Sequence, residues 1–172
     1  CMKILKIEPL NIVGLSGQEN LAVTDRLESL LELWEDTPYL PGQNVRGRGV
    51  DCVHFVASVY DTLLKKEQRF DKLPQDTSFH NKGKAWLAFR QFVRRYPCYP
   101  MDVETVQPGD MVICGPMGKN GGPGHAMIVG KNSLWHVDSK CVCRAGLGVM
   151  QQGAYAFKQI RRLKDRTVLL NG

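Results

Sequence analysis

The chain lacks any apolar run near the roughly 20 residues that a membrane-spanning helix requires, so no membrane span is expected. Its start, Met2-Lys3-Ile4-Leu5-Lys6-Ile7-Glu8, lacks the apolar core and small-residue cleavage site of a secretory signal. Cys1 ahead of Met2 reads as a residue added before a native start; a mature lipoprotein, which also begins with cysteine, is the alternative. There is no C-x-x-C pair, and six cysteines in 172 residues are too few for a disulfide scaffold. A reduced, cytoplasm-compatible protein is the expectation. No internal repeat or low-complexity segment divides the chain, and its length suits a single domain over residues 1–172 with a core of its own.

Charge is not lopsided. Lys and Arg number 23 against 17 Asp and Glu, a net +6, which favours anionic partners without selecting one. The basic segment Arg161-Arg162-Leu163-Lys164-Asp165-Arg166 brings no nucleic-acid motif with it and reads as alternating strand residues with solvated basic ends. Gly118-Lys119-Asn120 lacks the Ser or Thr and the upstream glycine of a phosphate-binding loop. Cys141-Val142-Cys143 has one residue between its thiols where structural zinc sites use two to four, so two thiols on one strand face are expected, and no metal or cofactor.

What is present is a pattern of helices followed by strands. Leu27, Leu30, Leu31 and Trp34 recur at i, i+3, i+4 and i+7, predicting a helix from about Asn20 to Trp34. A second stripe, Cys52, Phe55, Val56, Val59 and Leu63, follows Asp51, a suitable N-cap. A weaker third stripe includes Trp86, Phe89 and Val93 and gives way to Pro97, Pro100 and Pro108-Gly109. Beyond Pro108, short apolar or alternating runs at 110–114, 125–129, 133–138, 157–161 and 167–170 read as strands. This order predicts an α+β fold in which an antiparallel sheet packs on N-terminal helices.

Cys52 falls in the first turn of a helix, where unpaired N–H groups and the positive end of the helix dipole favour a thiolate. A buried cysteine acting as a small hydrophobe explains the same placement. A nucleophilic thiol needs a histidine to take its proton and a third group to orient that histidine. His125 opens the run His-Ala-Met-Ile-Val and His136 lies in Leu-Trp-His-Val, with Gly130-Lys131-Asn132 forming a turn between them. Paired strands would bring these two imidazoles together across the ladder. A strand-end histidine without chemistry, and a half-buried one satisfied by backbone, are the plainer alternatives. His54 points around the helix from Cys52, suited to lining a cleft but not to acting as its base. His80 reads as a solvated loop residue.

The segments Gly49-Val50-Asp51-Cys52-Val53-His54-Phe55-Val56, Val106-Gln107-Pro108-Gly109-Asp110-Met111, Gly124-His125-Ala126-Met127-Ile128-Val129-Gly130 and Leu134-Trp135-His136 resemble, in order and spacing, the motif blocks of the NlpC-type cysteine peptidases. The resemblance covers residues from about 20 to 138 and includes Tyr39, similar to a tyrosine that lines the active site in many members. It implies a papain-like fold and hydrolysis of amide bonds in peptidoglycan stem peptides, especially between D-γ-glutamyl and the diamino acid. By the same resemblance, Cys52 is the nucleophile, His125 the base and then acid, and His136 the orienter. The Cys52 N–H and Tyr39 would hold the oxyanion, and Tyr39, Asp51, Val53 and His54 would meet the substrate. Two departures bear on substrate choice. Val53-His54 stands where the family has a small Ser-Gly pair, a variation similar to that of phage tail-associated members, and the glycine-rich link 114–124 is longer than usual. Acyl transfer, amidase action on a non-wall substrate, and a non-catalytic binding module of the same fold are the alternatives.

Overall fold

The computed structural model describes residues 5–65, 94–101, 105–115, 124–148 and 157–172. The third helical stripe (Trp86, Phe89, Val93), His80, and most of the glycine-rich link lie outside the described residues.

The first helix, α1, spans Gly17–Glu32. It starts earlier than its apolar stripe because Ser16 and Glu19 form a reciprocal capping box: Ser16 Oγ accepts from the Glu19 N–H (3.2 Å) and Glu19 Oε2 accepts from the Ser16 N–H (2.7 Å). Helix α1 ends short of Trp34, whose ring is nonetheless buried and meets Phe55 edge-on, with centroids 5.9 Å apart. Phe55 belongs to the second helix, α2 (Cys52–Leu63), in which Asp51 is the N-cap as expected. All but one of the residues of α2 are buried, so this helix lies inside the protein. Short strands precede and join these helices: β1 (Lys6–Ile7), and β2 (Asn44–Val45) paired with β3 (Gly49–Val50).

The remaining strands are β4 (Cys98–Met101), β5 (Thr105–Val106), β6 (Met111–Gly115), β7 (His125–Val129), β8 (Leu134–Val137), β9 (Val142–Ala145) and β10 (Phe157–Leu163). Six form one antiparallel sheet in the order β4-β10-β6-β7-β8-β9, while β5 pairs in parallel with β1. The protein is therefore α+β, as the sequence order predicts. Side-chain alternation splits the sheet into two faces. Ala126, Ile128, Trp135 and Val137 join the cluster formed with α1 and α2, whereas Met127, Val129 and Leu134 join Leu5, Val106 and Ile160 in a second cluster.

Two sequence expectations are corrected here. Residues 167–170 are not a strand; they lie in a terminal 3-10 helix, Arg166–Asn171. Asp165 starts it by accepting from the Thr167 N–H (3.0 Å), and buried Leu169 packs over Gly109, whose φ of +89° holds the turn before β6. Nor are the basic residues before it all solvated. Arg162 is buried and makes a two-pronged pair with Asp110, Nε to Oδ1 at 2.8 Å and Nη2 to Oδ2 at 2.6 Å. Arg166 donates to Gln107 Oε1 from a partly buried site. Asp110 also accepts from the Gln107 N–H (2.9 Å), so one carboxylate joins the turn before β6 to β10.

Removing one partner of a buried pair leaves the other charged and unpaired. Asp110→Ala is expected to lower the unfolding free energy by about 3 kcal/mol in urea titrations. Lys131→Ala, which breaks the exposed Lys131–Asp25 pair (2.6 Å), should cost less than about 1 kcal/mol. Equal losses for the two variants would contradict this assignment.

Candidate active site

The site forms where the start of α2 meets β7. The Asp51 carboxylate is fully buried and organises that helix end: Oδ1 accepts from the His54 N–H (2.9 Å), Oδ2 accepts from the Gly42 N–H (2.7 Å), and the His54 Nδ1 lies 2.8 Å from both oxygens. These bonds hold the first turn and the preceding loop in one arrangement. The backbone N–H groups of Ala126 and Val53 lie close enough to the Cys52 thiol to favour its anion, against the larger effect of burial. The sulfur thus sits near the residue next to His125.

His125 and His136 meet as the hairpin spacing predicts. The β7–β8 ladder runs through Val129↔Leu134 and Ile128↔Trp135, and extending that register sets His136 beside Met127. His125 reaches His136 on the diagonal: Nε2 of His125 lies 2.9 Å from Nδ1 of His136, with the rings edge-to-face at 84°. On its other side, His136 Nε2 lies 3.5 Å from the sulfur of Cys143, its cross-strand neighbour on β9. By sequence Cys143 is only one of two thiols expected on a strand face and not a candidate site residue; the cross-strand register supplies the signal that a lone C-x-C motif does not.

Tyr39, from the loop before β2, is the exposed residue of the set. Its N–H donates to the Lys140 carbonyl (2.8 Å), and its phenol pKa is raised by partial burial and by the nearby Cys52 and Asp51. Asp51, Val53 and His54, which the resemblance assigns to substrate contact, all have 1% exposure or less. Their side chains serve the helix start and the core.

Electrostatics at this site differ from what the helix position alone suggests. Burial, followed by the Asp51 carboxylate, pushes the Cys52 thiol up to about 12 from an ordinary value near 9. A shift of that size corresponds to about 4 kcal/mol against the thiolate, whereas a helix N-terminus supplies about 0.3–1 kcal/mol, rarely 2. Desolvation wins. Burial also lowers His125 to about 3, with His136 adding to the effect, and lowers His136 itself. The resting site therefore holds a neutral thiol beside two neutral imidazoles. Among the described residues, no group of His, Cys, Asp and Glu is arranged to hold a metal ion.

No protein-family model matches the chain, and no curated protein does. No described helix is long and apolar enough to cross a membrane.

The His125 shift fixes the sign of a pH effect. Its folded-state value lies below its unfolded one near 6.5, so the stability tied to its neutral form is present above 6.5 and lost as pH falls toward 3. Wild type should lose this contribution at up to about 1.4 kcal/mol per pH unit on acidification. Unfolding free energies of wild type and His125→Gln should converge as pH falls below 6.5; parallel profiles would contradict the assignment.

Proposed function

We propose that this protein is a thiol amidohydrolase with a papain-like, NlpC-type fold, acting on peptidoglycan stem peptides. One observation carries the reading: the imidazoles of His125 and His136 lie 2.9 Å apart, and Cys52, at the start of α2, shares a buried cluster with Ala126, the residue next to His125. A thiol on a helix start near two paired imidazoles on neighbouring strands supports the roles that the motif blocks imply. The antiparallel sheet packed on α2 supports the same fold.

In this reading Cys52 Sγ attacks the amide carbonyl as its proton passes to His125. His125 is unprotonated at physiological pH and so can accept the thiol proton, but the burial that lowers its pKa also weakens it as a base, so the transfer must be concerted with attack. The first-turn N–H of Cys52 and the Tyr39 hydroxyl face the developing oxyanion. Collapse of the tetrahedral species breaks the C–N bond, and His125 returns the proton to the leaving amine. The thioester is then hydrolysed by water, with His125 again taking and returning one proton. Because the thiol is neutral at rest, deprotonation accompanies attack. His136 holds the His125 ring throughout.

The burial of Cys52 favours one second reading, acyl transfer, because a thioester shielded from water can persist until an amine arrives. Purified muropeptides incubated with wild type and with Cys52→Ala separate these outcomes by mass spectrometry. Hydrolysis predicts pairs of new fragments whose combined mass exceeds that of the parent by one water, formed at least a thousandfold more slowly with Cys52→Ala, on the order of losses at acyl-transfer nucleophiles. Fragments joined to an added amine indicate acyl transfer. Identical profiles for the two proteins overturn the wall-hydrolase reading.

A further inference from the structure

We propose that Cys143 is a positioning residue of this site: its thiol donates to the Asp138 carboxylate while its sulfur accepts from Nε2–H of His136, which fixes His136 in the tautomer whose Nδ1 accepts from His125. The inference rests on the catalytic reading above for its consequence in turnover, but not for its geometry.

The argument is one of donors and acceptors. Asp138 lies in the exposed turn between β8 and β9, and its Oδ1 accepts from the Lys140 N–H (2.6 Å) and the Cys141 N–H (2.8 Å). Those two backbone bonds hold its carboxyl below the usual range, so at neutral pH it is ionised and can only accept. The Asp138 carboxylate lies near the Cys143 thiol, and burial together with that carboxylate pushes the thiol up to about 11, so it keeps its proton. A thiol has one proton to give, and a carboxylate is the stronger acceptor. Toward His136 Nε2, 3.5 Å away, the sulfur is then left to accept.

That choice propagates. A neutral His136 carrying its proton on Nε2 has a lone pair on Nδ1, and the atom 2.9 Å from it is His125 Nε2, which must donate. The neutral His125 tautomer is thereby set with its lone pair on Nδ1, the nitrogen that on the catalytic reading takes the Cys52 proton. The opposite orientation would place a proton on His125 Nδ1 and disable the base. His125 keeps its Nε2 proton on His136 through the whole cycle, and only Nδ1 gains and loses one. Four residues thus form an ordered chain from an exposed carboxylate to the buried base. Cys143 is the link that reads the charge of Asp138 and passes on a direction.

Nitrogen-15 NMR of histidine-labelled protein tests this directly, using wild type, Cys143→Ala and Cys143→Ser, with kcat and KM on purified muropeptides measured in parallel. Wild type should show His136 with Nε2 protonated and Nδ1 unprotonated. Cys143→Ala should lose that preference and lower kcat on the order of tenfold at unchanged KM, the scale typical for partners that orient a functional histidine. Cys143→Ser, which can donate and accept as the thiol does, should restore both. A wild-type His136 protonated on Nδ1 overturns the proposal, and so does an Ala variant whose tautomer is unchanged, whatever its activity. If no muropeptide is cleaved while the tautomers behave as stated, the wall-hydrolase reading fails and the positioning role stands.

Discussion

The approach of the Ala126 N–H to the Cys52 thiol is the contact on which the site depends. It sets the start of a buried helix against β7, an inner strand of the sheet, one residue along from His125. Everything that makes this contact possible is structural. Asp51 caps the helix and draws in Gly42, His54 braces that carboxylate, and Phe55 and Trp34 lock α2 against α1. Across the sheet, Asp110 and Arg162 tie the turn before β6 to β10, so β6, which pairs with β7, is held in register from its far side.

The same packing that assembles the site also neutralises it. A thiol at a helix N-terminus is commonly an activated thiol, but here the helix is buried and a carboxylate caps it. The desolvation cost exceeds what the dipole returns, and Cys52, His125 and His136 all rest uncharged. Such a site depends on alignment more than on stored charge. Proton order along the hydrogen-bonded chain matters more than the pKa of any one member, which gives a strand cysteine such as Cys143 a part to play.

Much of this was legible in the sequence. The stripe through Leu27 and Leu31, the Asp51–Cys52 helix start and the runs that became β6, β7, β8 and β10 follow from periodicity alone, because burial on one face imposes it. The meeting of His125 with His136 follows from a short turn between two strands. The early start of α1 was also readable, since Ser16-Gly17-Gln18-Glu19 is a capping-box pattern placed before the apolar stripe. Other features belong to the tertiary structure. Residues 167–170 have strand-like composition, yet Asp165 and the pocket for Leu169 over Gly109 curl them into a 3-10 helix. The burial of Arg162 depends on Asp110 arriving from another strand, and the role of Cys143 on a cross-strand register that no local motif records. Asp51, Val53 and His54 stand beside Cys52 in sequence, but the fold buries their side chains.

The central claim is a neutral resting thiol held beside a neutral base, and the pH dependence of Cys52 alkylation tests it most directly. Iodoacetamide labelling, followed at the Cys52 peptide by mass spectrometry, should be slow at neutral pH and rise steadily above pH 9, toward the thiol pKa near 12, with no plateau below. A rapid, pH-independent rate across the acidic and neutral range would reveal a preformed thiolate–imidazolium pair and contradict the account.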